Sequence, residues 1–229
     1  MDNRKIIFFD FANTLGFLKP SSENLIYKFL KKKTSKKKIK KAILELDNNI
    51  FYSSIKIKNY NEKKNFYIKY NKNLLFKLKL KKNCTENAKL LFYYFQKFKR
   101  RWVIDLKTKN FLIKIGSKYE LGIASNFDSY LRKILIRNKI IHLFKHIIIS
   151  KEKNCEKPNS KFFKLMKQKA KDKKIIFIGD NFSLDYKPAL KNNIQALIIS
   201  DKKTNLLKKY EINRSLLINL NSQLLQKIE

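Results

Sequence analysis

Glycine, proline and cysteine are scarce in this chain, with 4, 3 and 2 residues among 229. Two cysteines, Cys84 and Cys155, build neither a disulfide framework nor a zinc site, so a disulfide-stapled secreted scaffold is excluded. Long hydrophobic runs are missing as well. The longest uncharged stretch is the twelve residues Ser215 to Gln226, laced with Asn, Ser and Gln, too short and too polar to span a bilayer. The first strand-like run reaches Asp10 after only four apolar residues, which predicts no secretory leader, no membrane partner and a cytoplasmic location. Acidic residues are few: 18 Asp and Glu face 54 Lys and Arg, for a net charge of +36. Apolar residues are not few. At 44% hydrophobic and 13% aromatic, the chain buries a sizeable core, and intrinsic disorder is excluded.

A basic balance invites a nucleic-acid or anionic-surface reading. Yet only six of the 54 cations are arginine (Arg4, Arg100, Arg101, Arg132, Arg137 and Arg214), and lysine, asparagine and isoleucine fill 101 of the 229 positions. Those three residue types have A/T-rich codons, while scarce glycine, alanine and proline have G/C-rich ones. The charge therefore reads first as composition. A selected phosphate-binding surface favours arginine, whose planar fork grips phosphate at two points. Non-specific attraction of nucleic acid at low salt is expected either way.

Short apolar runs rich in Ile, Phe or Val recur at Lys5–Asp10, Leu121–Ser125, His146–Ser150, Lys174–Asp180 and Gln195–Ser200. They read as strands buried on both faces. Helical patterns lie between them at Asp128–Asn138, Asn159–Lys171 and Asp185–Asn192. This alternation predicts an α/β domain: a parallel sheet with helices on both faces. Residues 19–100 read differently. Segments 22–33, 35–50, 61–80 and 85–99 carry helical apolar spacing, as in Ile39, Ile43, Leu46 and Ile50, and the stretch holds 24 cations against 5 acids. The spacing predicts an all-helical insert at 19–100 within a core formed by 1–18 and 101–229. The aromatics Phe92, Tyr93, Phe95 and Phe98 are assigned to the insert's core.

Ligands of a parallel sheet bind at the carboxyl ends of its strands. Beyond those ends, in chain order, stand Asp10-Phe11-Ala12-Asn13-Thr14-Leu15, Ser125-Asn126, Lys157-Pro158, and Gly179-Asp180 through Asp185. Three carboxylates, a hydroxyl and a lysine converge on one rim. Carboxylate oxygens suit Mg²⁺, a carboxylate can attack phosphorus, and a lysine with a hydroxyl can hold phosphoryl oxygens.

This order of motifs resembles the haloacid dehalogenase (HAD) superfamily, in the subgroup with a helical cap inserted after the first motif. The resemblance covers nearly the whole chain and implies a three-layer Rossmann-like core. It also implies a Mg²⁺-dependent hydrolase that acts on a small phosphorylated metabolite through an aspartyl-phosphate. Asp10 would be the nucleophile, and Thr14 and Ser125 would hydrogen-bond the phosphoryl group or Asp10. Lys157 would neutralise charge, and Ser125, Asn126 and Lys157 would bind substrate. Metal ligands would be Asp10, the backbone carbonyl of Ala12 and Asp180, with Asp185 supporting the metal or Lys157.

One position departs from the phosphatase pattern. Family phosphatases carry a general acid/base aspartate where this chain has Ala12, a loss typically worth 10²–10⁴ in rate. Two further readings therefore stand beside the first. One is a catalytically degenerate scaffold whose basic surface serves RNA or ribonucleoprotein assembly. The other is a phosphonatase-like C–P hydrolase, which would need a cap lysine as Schiff base. Asn13 stands at the family's usual glycine, where Asn tolerates left-handed backbone.

Overall fold

The computed structural model describes residues 5–47, 57, 59–200 and 211–213. In chain order its elements are β1 (Lys5–Phe9), β2 (Phe17–Lys19), α1 (Ser22–Phe29), α2 (Lys36–Asp47), α3 (Tyr60–Lys77), α4 (Cys84–Gln96) and β3 (Arg101–Val103). Then come α5 (Leu106–Gly116), β4 (Glu120–Ser125), α6 (Tyr130–Arg137), β5 (His146–Ile149), α7 (Ser150–Lys153), α8 (Ser160–Ala170), β6 (Lys174–Gly179), α9 (Lys187–Lys191), β7 (Gln195–Ser200) and β8 (Glu211–Asn213). The chain divides into two compact units, Met1–Phe17 with Trp102–Glu229, and Leu18–Arg101. No helix among the described residues is long and apolar enough to cross a membrane.

The first unit is built on a six-stranded sheet ordered β5-β4-β1-β6-β7-β8, with every pairing parallel. Strands β1, β4 and β6 bury both faces, which is why they are apolar at consecutive positions. In β1, Ile7 and Phe9 enter one core with Phe111, Leu112 and Ile115 of α5 and Leu131, Ile134 and Leu135 of α6. Ile6 and Phe8 enter the other with Phe162, Phe163 and Met166 of α8 and Ala189 of α9. The result is a three-layer α/β core. After β1 the chain runs outward through β4 and β5, then returns to lay β6 on the other side of β1. The reversal falls between β1 and β6, and beyond the carboxyl ends of such strands is where the ligands of an open α/β sheet bind.

The second unit packs α1 to α4 around Ile26, Leu30, Ile39, Ala42, Leu46, Leu74, Leu75, Ala88 and Leu91. The α2 spacing is realised by buried Ile39 and Leu46 and partly buried Ile43; Ile50 lies outside the described residues. Asn59 caps α3, its Oδ1 accepting from the Glu62 N–H at 2.9 Å and its Nδ2 donating to the Glu62 carboxylate at 3.2 Å. The aromatic assignment needs one correction. Phe92 is buried, but Tyr93 lies on the exposed side of α4, where Lys64 covers its ring at 5.1 Å. Positions 92 and 93 are neighbours, and a helix turns successive residues through about 100°.

Candidate active site

Asp10 comes directly after the last residue of β1, and its N–H donates to the Ile178 carbonyl of β6 at 2.8 Å. Ser125 ends β4 beside it. The Ser125 hydroxyl donates to Asp10 Oδ1 at 2.8 Å, and Lys157 Nζ reaches the same oxygen at 2.7 Å. Both bonds fall on Oδ1, and Oδ2 carries no hydrogen bond among the described residues. Lys157 also meets Asp185 Oδ1 at 2.5 Å and lies over the Phe177 ring at 5.2 Å. Its side chain is only 3% exposed, so the charge is held by these partners rather than by water. Burial alone would lower its pKa; the carboxylates of Asp10 and Asp185 more than offset this and hold the ammonium above the ordinary lysine range.

Asp185 is committed on both oxygens, Oδ1 to Lys157 and Oδ2 accepting from the Asn181 N–H at 3.0 Å. Two carboxylates share one ammonium here. Burial, with the charge of Asp10 adding to it, pushes the Asp185 carboxyl up to about 6 against the pull of Lys157. The loop bearing Asp185 is organised by Asn181, whose Oδ1 accepts from Ser183 N at 2.9 Å and Leu184 N at 3.0 Å while its carbonyl accepts from Asp185 N at 2.8 Å. The turn at Phe182–Tyr186 is one of π type, a rare geometry frequent at functional sites. Gly179 is required by contact: a Cβ there would stand 2.3 Å from Asp185 Oδ2.

Half-buried Asp180 completes the cluster. Asp10, Asp180 and Asp185 each offer one carboxylate oxygen, all within 4.8 Å of one another. Three carboxylates against one ammonium leave two surplus negative charges, which a divalent cation would balance. The donor set, all oxygen, fits Mg²⁺. Asp10 and Asp180 would be the better placed to hold such an ion, because Asp185 is already spent on Lys157 and Asn181.

The turn after Asp10 is tied by the Phe11 carbonyl, which accepts from Leu15 N and Gly16 N at 2.9 Å each. Asn13 takes φ +58°, as its residue type allows. A single bridge joins Ala12 to Gly16 through the Phe11 carbonyl and the Asn13 N–H, leaving the Ala12 carbonyl out of it. Thr14 is buried, and its hydroxyl donates to Asp180 Oδ1 at 3.5 Å. Asn126, read as a substrate contact, spends both ends of its amide on the Lys157 main chain. Cys155 is half-buried, and burial pushes its thiol up, away from thiolate character.

Two contributors are not apparent from the sequence. Asn181 has a signal, an Asn two and three residues before the N–H groups it caps, the pattern of an Asx turn. Phe177 has none, since an aromatic in a buried strand reads as core.

Residues 105–199 match the sequence model of the haloacid dehalogenase-like hydrolases, a span that includes Ser125, Lys157, Asp180 and Asp185. No curated protein matches the chain in sequence. Among solved structures, a putative HAD-hydrolase of Bacillus subtilis bound to magnesium is 18% identical, with a TM-score of 0.59 over 95% of this chain and 96% of that one. A HAD phosphatase of Thermococcus onnurineus is 20% identical, with a TM-score of 0.54 over 94% and 97%. A 2-haloacid dehalogenase of Pseudomonas syringae is 16% identical, with a TM-score of 0.53 over 97% and 98%. Over residues 105–199, which hold the three later motifs, the chain is thus similar in sequence to the haloacid dehalogenase-like hydrolases, and it shares its fold from end to end with solved proteins of that kind.

Proposed function

We propose that the protein is a Mg²⁺-dependent hydrolase of small phosphorylated metabolites, working through an aspartyl-phosphate on Asp10, with residues 19–100 as its cap. The observation that carries this reading is the state of Asp10. Ser125 and Lys157 grip Oδ1, and among the described residues Oδ2 is left uncommitted in a buried site beside Asp180. A capping or turn aspartate has no need of a buried lysine that is itself clamped by a second buried aspartate.

Asp10 would attack phosphorus with a carboxylate oxygen, forming an O–P bond as the bond to the leaving group breaks and its electron pair departs with that group. Lys157 and Ser125 would stabilise the negative charge around the phosphoryl oxygens. Water would then attack the acyl-phosphate, releasing phosphate and restoring the Asp10 carboxylate. Mg²⁺ held by Asp10, Asp180 and the Ala12 carbonyl would supply Lewis-acid neutralisation of phosphoryl charge. The Ala12 side chain offers no proton to a leaving group, which keeps the scaffold reading and, after it, the phosphonate reading as alternatives.

The test is a panel of aryl, acyl and alkyl phosphates with a phosphonate, assayed with and without Mg²⁺. Turnover requiring Mg²⁺ and abolished in Asp10→Asn is the expected result. Mg²⁺ should also raise the melting temperature by mass action, and Asp180→Ala should remove the shift. Undiminished turnover in Asp10→Asn, or a wild type inert towards the whole panel, would overturn the reading.

A further inference from the structure

Resting on that reading, we infer that Asn126 is the positioning residue of Lys157 and does not touch substrate through its side chain. Its amide makes a reciprocal pair of bonds with one residue: Nδ2 donates to the Lys157 carbonyl at 2.9 Å, and Oδ1 accepts from the Lys157 N–H at 2.9 Å. Both main-chain groups of the lysine are thereby fixed by a single side chain. A primary amide carries a donor and an acceptor side by side on one planar group, which suits it to both bonds at once.

The placement explains why the bonds matter. Lys157 lies in the loop between α7 and α8, 31 residues along the chain from Asn126. Its ammonium must land between two carboxylates, 2.7 Å from Asp10 and 2.5 Å from Asp185. A long flexible side chain lands there only if its main chain is held at the right height above the sheet. Ser125 and Asn126 divide that work from adjacent positions at the end of β4, Ser125 on the nucleophile and Asn126 on the lysine's backbone. The next residue continues the lacing. Phe127 N–H donates to Ser150 Oγ at 3.1 Å, and that hydroxyl donates to the Phe127 carbonyl at 3.2 Å. The end of β4 is thus sewn to the segment after β5 at two successive residues.

Three measurements test the inference. On an aryl phosphate with Mg²⁺, Asn126→Ala should lower kcat by about 10²-fold, the scale of an ångström-sized misplacement, with KM within about twofold. In a Lys157→Ala background the same substitution should change kcat no further, since it acts only through that lysine. Hydrogen exchange at the Lys157 amide should quicken at least about tenfold in Asn126→Ala, as expected for loss of a bond that protects it, while the Asp10 amide keeps its wild-type rate. That last readout needs no activity, so it separates failure of this inference from failure of the phosphatase reading. Asn126→Ser, which keeps one hydrogen-bonding group, should fall between wild type and alanine if the alanine variant is poorly folded. A raised KM with unchanged kcat, additive losses in the double variant, or an unaltered Lys157 amide would each overturn it.

Discussion

At position 12 the side chain stops at Cβ, two residues beyond the Asp10 carboxylate. Around Asp10 stand Lys157, a poor proton donor because two carboxylates hold its charge, and Ser125, already donating to Oδ1. On the proposed reaction, neither position 12 nor Lys157 nor Ser125 would then protonate the leaving group. Aryl and acyl phosphates react readily without that proton and alkyl phosphates do not, so the former should turn over far faster. On the same proposal the second half-reaction would go without a base at position 12, which should let the phosphoenzyme accumulate and give a burst. Ala12→Asp should raise turnover of alkyl phosphates at least about tenfold, a conservative share of what acid/base catalysis contributes. No gain in a variant that still binds Mg²⁺ would locate the defect elsewhere. The residues at strand ends are legible in the sequence because hydrophobic runs mark where a parallel sheet delivers its ligands. Their pairings are not. Nothing in the spacing of Asn126, Lys157 and Asp185 tells which carboxylate the lysine takes or which backbone the amide holds, because these contacts span 28 to 31 residues of chain.

The elements themselves are legible where a long apolar period marks them. The five core strands and the helices α6 and α8 form within two residues of the runs that predict them. The three-residue strands β2, β3 and β8 are too short to show a period, and the stretch read as a helix at Asp185–Asn192 opens instead with the π turn that aims Asp185. Helix α5 has no counterpart among the predicted helices, although Asp105 caps it, accepting from Thr108 N at 2.7 Å. Helix ends carry a cost of the poverty in glycine. Nine described residues that are not glycine take positive φ, all of them Asn or Lys, and no glycine does. Lys139, at φ +57°, comes just after α6; its N–H donates to the Ile136 carbonyl at 2.8 Å and the next N–H to Leu135 at 3.1 Å, so α6 closes through a left-handed residue. Left-handed backbone costs an L-residue roughly 1–2 kcal/mol, part of which glycine returns through greater freedom when unfolded. Lys139→Gly should thus stabilise the protein by about 0.5–1 kcal/mol, measured by urea denaturation with the slope unchanged. Loss of stability would mean that the lysine makes contacts outweighing its strain.

For the whole molecule the governing quantity is charge. Even with each of the 18 acids paired to one cation, 36 of the 54 cations have none. The described acids already share: Glu120 meets both Lys145 and Lys173, and Glu45 meets Lys41 and Lys77. Elsewhere like charges crowd together. Lys36, Lys37 and Lys38 open α2 with no acid in its first turn, at the end where the helix dipole is itself positive. Each such lysine costs about 0.3 kcal/mol or more at low salt. Raising NaCl from about 0.01 M to about 0.15 M shortens the screening length from about 30 Å to about 8 Å. Relief at these three positions alone is therefore about 1 kcal/mol, or a melting temperature higher by about 2–4 °C for a chain of this size. KCl at equal ionic strength should act alike, because screening depends on charge and concentration alone. Replacing the three lysines by glutamine should raise stability at low salt and shrink the response. A polyanion such as heparin should stabilise the wild type at about 0.01 M and lose that effect by about 0.15 M, since such binding falls steeply with salt. A melting temperature that falls with NaCl would mean that attractive ion pairs dominate the surface. Stabilisation by one defined RNA that survives physiological salt would turn the basic surface from a consequence of composition into a binding face, and would favour the scaffold reading over the hydrolase.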